Sequence, residues 1–371
     1  MPPEKAPRAR GTVLHCIPTM GGGGAERQLA YLVGELGRFG WNAHVAVVGR
    51  GPNWDRLVGS GAVVHELPLR SSYDWRALGA VRRVVREVRP DIIQAWLFQM
   101  EVLAGLSAVV TRTPWIFSER ASAPAYAPST KNLVRRGMAR LATAVVSNSA
   151  AGDAYWSDTI AKRFVVPNGL PLAEINATPC AVGEALPSTY GRPLLLFAGR
   201  FDEQKNIRTL LAAFDIVLDR HDVLVVCCGE GPLRPEADAW ARARAADGKA
   251  VVRGYLPNLW AVMKSAVAVV SPALFEGSPN VVLEAMACGV PLVVSDIPEH
   301  RELLDERSAL LVRPQSAAEL AAAVEAVLGD PISAQARAGI ARDRATSYSL
   351  SAMAKRYDDV YREILAAGAG A

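Results

Sequence analysis

Two glutamates are the residues in this chain best suited to chemistry. Glu276 and Glu284 have seven residues between them, in Phe275-Glu276-Gly277-Ser278-Pro279-Asn280-Val281-Val282-Leu283-Glu284. The first follows an apolar run, Ala266 to Val270, and reads as a loop residue. The second lies about one turn into the helix that comes next. Pro279 suits the first turn of that helix, where a missing N–H costs nothing. Small residues at 277 and 278 let backbone approach a ligand closely. A helix N-terminus of this kind is an anion site. Two carboxylates flank it, and each can grip a diol. An anionic centre with hydroxyl-rich groups on both sides describes a sugar nucleotide. The competing structural reading is a surface loop followed by a half-buried helical glutamate.

Cations for such an anion stand in Gly199-Arg200-Phe201-Asp202-Glu203-Gln204-Lys205-Asn206. Arg200 can bind phosphate oxygens bidentately, and Lys205 adds a point charge; the alternative is a solvated turn. A third candidate is Gly21-Gly22-Gly23-Gly24-Ala25-Glu26, where backbone amides can approach a phosphate or sugar. A merely flexible turn is one alternative; a dinucleotide fingerprint is another, and it fits poorly on two counts. Glu26 stands where its last glycine belongs, and the second strand ends Val48-Gly49-Arg50, with no acid to hold a ribose.

The elements that must position these residues alternate. Strands are expected at Thr12–Ile17, Ala43–Val48, Ala62–Leu67, Asp91–Ala95, Trp115–Ser118, Ala144–Ser147 and Arg163–Val166. Helices are expected at Ala25–Arg38, with Leu29, Leu32, Val33 and Leu36 on one stripe, and near Ala77–Val88. The Pro-rich stretch Leu170–Pro193 lacks periodicity and reads as a linker. Strands resume at Leu194–Ala198, Val223–Cys228, Ala250–Arg253, Ala266–Val270, Pro291–Ser295 and Ala309–Val312, and a helix at about Ser351–Ala367 precedes a loose tail, Gly368–Ala371. Such alternation means parallel sheets covered on both faces. The expected fold is α/β, two doubly wound Rossmann-like domains facing across a cleft, with ligands beyond the carboxyl ends of the strands. The domains are read as 1–180 and 190–348.

Composition agrees with a globular α/β protein: 371 residues, 50% hydrophobic and 21% charged. A net charge of +4 suits an anionic ligand or an anionic membrane surface and is too small to argue nucleic acid. Cys16, Cys180, Cys227, Cys228 and Cys288 form no zinc-type spacing and read as reduced thiols of a cytoplasmic protein. Residues 1–11 lack a signal-peptide core, and no apolar run is long enough to span a bilayer. There is no Asp-x-Asp or His/carboxylate cluster, so no metal and no cofactor is expected.

In these motifs the chain resembles the retaining family 4 glycosyltransferases of the GT-B fold. The matching pieces are Gly22-Gly23-Gly24-Ala25-Glu26, Val166-Pro167-Asn168-Gly169, Gly199-Arg200 with Lys205-Asn206, Gly229-Glu230-Gly231-Pro232-Leu233, and Glu276 to Pro291, in the family's order over nearly the whole chain. The resemblance implies that Glu284 binds the nucleotide ribose and that Glu276 touches the transferred sugar. The stretch Ser278-Pro279-Asn280-Val281 would offer backbone N–H groups to the diphosphate and sugar. Arg200 and Lys205 would stabilise the leaving diphosphate. Gly254, Tyr255 and Leu256 would border the base, and Gly23 and Gly24 would approach the donor from the first domain. It also implies that the final helix, about 349–371, crosses back to the first domain. Catalytic roles thus fall on Glu276, Arg200 and Lys205.

The acceptor belongs to the first domain, with Trp96, Ser118, Glu119, Arg120 and Tyr126 as candidates; Trp96, Phe98 and Tyr126 can line an apolar pocket. Many relatives carry a histidine near Phe117-Ser118-Glu119-Arg120, and this chain does not. Glu119 is read either as the ion-pair partner of Arg120 or as an acceptor contact. His15 reads as a core histidine or a catalyst, and His300 as near the donor or exposed. Lys131, Arg135, Arg136 and Arg140 oppose Leu133, Val134, Met138 and Leu141 on one helical wheel; Arg82, Arg83, Arg86 and Arg89 oppose Leu78, Val81, Val84, Val85 and Val88 on another. Such faces either meet anionic lipid heads at the cytoplasmic membrane surface or are ordinary solvated faces. The resemblance thus points to transfer of a hexose or hexosamine from a nucleotide-diphosphate sugar, uridine favoured by frequency in the family, to a hydroxyl-bearing acceptor. A same-fold epimerase or hydrolase, and a non-catalytic sugar-nucleotide-binding subunit, are the alternatives.

Overall fold

A computed structural model describes residues 10–69, 74, 76–180, 191–244, 248–256 and 258–368. The leader 1–9, much of the Pro-rich stretch and the end of the tail lie outside the described residues. Every strand expected from the sequence forms. The first unit holds β1 (Gly11–Thr19), β2 (Trp41–Gly49), β3 (Val63–Glu66), β4 (Ile92–Trp96), β5 (Trp115–Glu119), β6 (Ala144–Ser147) and β7 (Lys162–Val165). The second holds β8 (Leu194–Ala198), β9 (Leu224–Cys228), β10 (Ala250–Arg253), β11 (Ala268–Ser271), β12 (Leu292–Ser295) and β13 (Leu310–Val312).

Both sheets are parallel, in the orders β3-β2-β1-β4-β5-β6-β7 and β10-β9-β8-β11-β12-β13. The central strands read as unbroken apolar runs because helices cover both faces; all of Leu194–Ala198 and Leu224–Cys228 is buried. Along β1 the side chains divide between two cores, Val13 and Ile17 into one, Leu14 and Cys16 into the other. Each sheet reverses its winding once, between β1 and β4 and between β8 and β11. Doubly wound sheets bind ligands beyond the carboxyl ends of the strands at that point.

The final helix, Leu350–Gly368, belongs to the first unit, as the resemblance implied. Its Met353, Tyr357, Val360, Tyr361 and Ile364 join the core formed by Leu29, Trp41 and Val45. Asp358 fixes it further by accepting from Trp41 Nε1 at 3.1 Å and from Arg10 at 2.9 Å. The units are 1–169 with 348–371, and 170–347, so the first division falls earlier than the expected residue 180. The reason is local. Leu172–Ala177 is a short helix rather than linker, and Lys264 Nζ donates to the carbonyls of Ile175 at 2.5 Å and Thr178 at 2.6 Å, tying the segment to the second unit.

The helix Thr130–Leu141 keeps Met138 buried and Lys131 and Arg140 exposed, as expected, but departs from the expected division elsewhere. Leu133, Val134 and Leu141 are exposed, whereas Arg135 is buried and holds Glu101 bidentately at 2.6 and 2.8 Å. Glu101 lies in the largely apolar helix Leu97–Thr111, and a buried carboxylate needs a partner. Arg135 meets that need and packs its guanidinium against Phe117, Tyr126 and Trp156. The helix Ala77–Val88 keeps the expected arrangement, with Val81, Val84 and Val85 buried and Arg83 and Arg86 exposed.

Candidate active site

The second sheet's reversal brings the candidate residues together. Arg200 and Lys205 follow β8, and Glu276 follows β11. Three consecutive side chains of the first loop bind the second. Gln204 Nε2 donates to the Phe275 carbonyl at 3.0 Å, Lys205 Nζ pairs with Glu276 Oε1, and Asn206 Nδ2 donates to the carbonyls of Pro272 at 3.1 Å and Pro314 at 2.6 Å. Asn206 has φ +58°, a left-handed conformation that asparagine adopts more readily than most residues. That conformation turns the chain into the helix Ile207–Arg220 while the amide reaches the ends of β11 and β13. Asp202 Oδ1 closes the turn by accepting from the Lys205 backbone N–H at 3.0 Å.

Arg200 is held more loosely. Its side chain is 68% exposed and pairs with Asp202 Oδ2 at 2.6 Å. It also donates to Gln204 Oε1 at 3.3 Å. A guanidinium so exposed can turn to a ligand at small desolvation cost. Lys205 and Glu276 are more enclosed, with side chains 19% and 6% exposed.

Glu284 is buried on the helix Asn280–Cys288, one turn from its start. Pro279 is the N-cap residue, one position earlier than expected; it has no N–H, so it shapes the turn and cannot donate to a ligand. Ser278 and Val281 are partly exposed beside it. Close backbone approach is visible at Gly229, where a Cβ would overlap the Gly199 carbonyl oxygen, joining the ends of β8 and β9. Gly254, Tyr255 and Leu256 follow β10, with Tyr255 69% exposed.

Sequence reasoning left His300 as near the donor or exposed; it is fully buried. Its Nδ1 lies 2.8 Å from the Ser295 carbonyl and so carries the proton, and Ser295 Oγ donates to the Ala273 carbonyl at 2.5 Å. Burial lowers the His300 pKa, partly offset by the charge of Glu276. The neutral ring thus supports the 272–276 segment from β12. Neither Ser295 nor Asn206 was singled out from the sequence. An Asn at the residue after a loop lysine was the legible sign of a left-handed turn.

In the first unit, Gly23 is the exposed N-cap of the helix Gly24–Leu36, and the Glu26 carboxylate lies against the space its Cβ would fill. Burial raises the Glu26 pKa. The acceptor candidates separate into two networks. Trp96 is buried and cannot line an open pocket. Its Nε1 donates to His15 Nδ1 at 3.2 Å, which makes His15 a core residue. Ser118 is also buried, with Gln94 Nε2 at 3.0 Å, and Gln94 Oε1 accepts from Tyr361 at 2.6 Å. Glu119 is not the ion-pair partner of the Arg120 side chain. It accepts from the backbone N–H groups of Arg120 and Ala121, from Tyr126 Oη and from Trp156 Nε1, and lies 3.5 Å from Arg135. Tyr126 is half-buried and committed to this second network.

Two family descriptions match this chain. "Glycosyl transferase 4-like domain" covers residues 23–169, and "Glycosyl transferases group 1" covers 192–330. Alpha-D-kanosaminyltransferase of Streptomyces kanamyceticus is 30% identical over 47% of this chain and 46% of its own length. Thus the chain spans under half of the first relatives it matches. Alpha-maltose-1-phosphate synthase of Mycolicibacterium smegmatis is 27% identical over 97% of this chain and 89% of its own. Among solved structures, Anabaena HepE in complex with UDP-glucose superposes with a TM-score of 0.82 at 19% identity, over 95% of this chain and all of its own. Sucrose-phosphate synthase from Thermosynechococcus elongatus gives 0.79 at 21%, over 96% and 100%. At such identities these two likenesses speak for the fold. With both family descriptions matched in order and the two doubly wound sheets in place, the chain belongs to the family 4 glycosyltransferases of the GT-B fold.

Proposed function

We propose that this protein is a retaining glycosyltransferase that moves a hexose or hexosamine from a nucleotide-diphosphate sugar, with uridine as the base, to a hydroxyl of an acceptor. The observation that carries this reading is the meeting of Arg200, Lys205 and Glu276 at the reversal point of the second sheet, next to the helix that bears Glu284. Glu284 takes the ribose hydroxyls and Glu276 the hydroxyls of the transferred sugar. Arg200 leaves Asp202 for the diphosphate. Together with Lys205 and the first N–H groups of the 280–288 helix, it stabilises the negative charge that grows as the glycosidic bond breaks. These groups suffice for the charge without a metal, so turnover should persist in a chelator.

The relatives support a sugar-nucleotide donor: HepE is named in complex with UDP-glucose, and two others are named for making phosphorylated sugars. The test is a panel of nucleotide sugars scored by thermal shift, followed by transfer assays with the anomeric configuration read by NMR. Stabilisation by UDP-sugars and a product of unchanged configuration are expected. Free sugar or an epimer formed without acceptor would favour a hydrolase or epimerase, and tight binding with no turnover would favour a binding subunit.

Peripheral contact with an anionic membrane on the cytoplasmic side is a second reading. Among the described residues no helix is long and apolar enough to cross a membrane. The exposed Leu133, Val134 and Leu141 lie on a helix that also presents Lys131 and Arg140 to solvent, and this supports docking from the surface. Co-sedimentation with anionic vesicles, set against neutral ones, tests it.

A further inference from the structure

We infer that Arg120 is the seat of an anionic group, a phosphate or carboxylate, on the acceptor. The inference rests on the glycosyl-transfer reading above and names the chemical class of its second substrate.

Arg120 follows β5, at the carboxyl end of the first sheet. Its guanidinium stacks on the Trp96 ring, 4.0 Å from the centroid, and Nη2 donates to Tyr357 Oη at 2.7 Å. The side chain is therefore fixed, yet among the described residues no carboxylate is within ion-pair distance of it. Other enclosed arginines in this chain do have acids, as Arg135 has Glu101 and Arg234 has Asp238. The adjacent acid cannot serve, because Glu119 already accepts from Tyr126, Trp156 and two backbone N–H groups and faces Arg135. A preorganised, partly enclosed guanidinium without an acid is the usual means of recognising a phosphate or carboxylate.

The surroundings point the same way. Arg120 Nε is buried with no acceptor. His15 accepts from Trp96 through Nδ1, so its proton is on Nε2, and that N–H is also buried without an acceptor. The Ser122 hydroxyl and the Asn148 Oδ1 are likewise buried and unpartnered. Strand register sets these groups at one end of the sheet: Trp96 is opposite Ser118, and Glu119 is opposite Ser147. Buried polar groups are ordinarily satisfied, and each exception calls for a partner. Here the unmet groups are mainly donors, which fits an anion, and the one acceptor suits a sugar hydroxyl. The donor's diphosphate is the other source of such an anion. It already has Arg200, Lys205 and a helix N-terminus in the second unit, so the anion at Arg120 is assigned to the acceptor.

The test is isothermal titration of the full chain with inorganic phosphate, glucose 1-phosphate, glucuronate and glucose, and separately with UDP. Binding of at least one anionic probe, with glucose much weaker, is expected. Arg120→Gln should weaken that probe by about tenfold or more, the value of one charged hydrogen-bonding partner. Arg120→Lys, which keeps the charge and protects the fold, should fall between, and UDP affinity should change less than twofold in either variant. Equal binding of glucose, indifference to Arg120→Gln in a folded variant, or a loss of UDP affinity matching the loss of anion affinity would overturn the assignment. If UDP fails to bind the unaltered protein while the anion binds, the donor reading falls and the Arg120 site stands. If UDP binds and no anion does, the Arg120 site alone falls.

Discussion

Replacing Lys205 with Met separates structural from chemical consequences at the candidate site. Lys205 Nζ is the partner of Glu276, whose side chain is 6% exposed; the lysine side chain is 19% exposed. Removing one member of a fully buried pair costs about 3–5 kcal/mol, because the other charge is left without compensation. Solvent at Lys205 screens part of this, so about 2–3 kcal/mol is expected here. For a unit the size of 170–347 that is a fall in melting temperature of roughly 4–12 °C. Replacing both partners, Lys205→Met with Glu276→Met, removes the stranded charge and should recover all but about 1 kcal/mol. Activity should not follow stability. Losing one cation aimed at the leaving group costs about 10²–10³ in kcat, and the double variant should be at least as inactive as the single. Calorimetry gives the first quantity and initial transfer rates the second. A single variant as stable as the parent, or a double variant no more stable than the single, would refute the claim that the pair is enclosed and coupled.

Glu284→Ala should weaken UDP by about 2 kcal/mol, roughly thirtyfold, through loss of charged hydrogen bonds to the ribose; titration calorimetry reads it, and unchanged affinity would remove Glu284 from the site. Gly229→Ala should destabilise the second unit by about 1–3 kcal/mol in urea unfolding, since its Cβ meets the Gly199 carbonyl; parent-like stability would contradict the close approach. Burial lowers the His15 pKa from its ordinary value of 6.5 to about 3. The unfolded chain therefore binds a proton that the folded one refuses: this stability is complete above pH 6.5 and falls towards pH 3 at about 1.4 kcal/mol per pH unit. His15→Asn should flatten the dependence across that window in pH-resolved unfolding, and an identical slope would place the titration elsewhere.

Strands were the most legible part of the sequence, because doubly covered parallel strands such as Leu194–Ala198 are uninterrupted apolar runs bounded by polar turns. The candidate site was partly legible for a related reason. Glycines, loop cations and paired acids have few other uses at strand ends. The helix 130–141 was misread because a helical wheel assumes that the apolar half faces the core. Its true orientation depends on Glu101, a residue on the preceding helix, and the sequence held one sign of it: an acid inside a largely apolar stretch. Trp96 failed for a similar reason. An aromatic at a strand end suggests a pocket, but the neighbouring strand carries His15, which satisfies its indole N–H and draws the ring inside. The short helix 172–177 was hidden by nearby prolines and needed Lys264, far along the chain, to hold its carbonyls.

A crystal structure of the protein with UDP bound is the most direct test of the proposed donor site. The diphosphate should lie within hydrogen-bond reach of Arg200 and the start of the 280–288 helix, with the ribose hydroxyls on Glu284. Density for the nucleotide at any other place, or a ribose turned away from Glu284, would contradict the account.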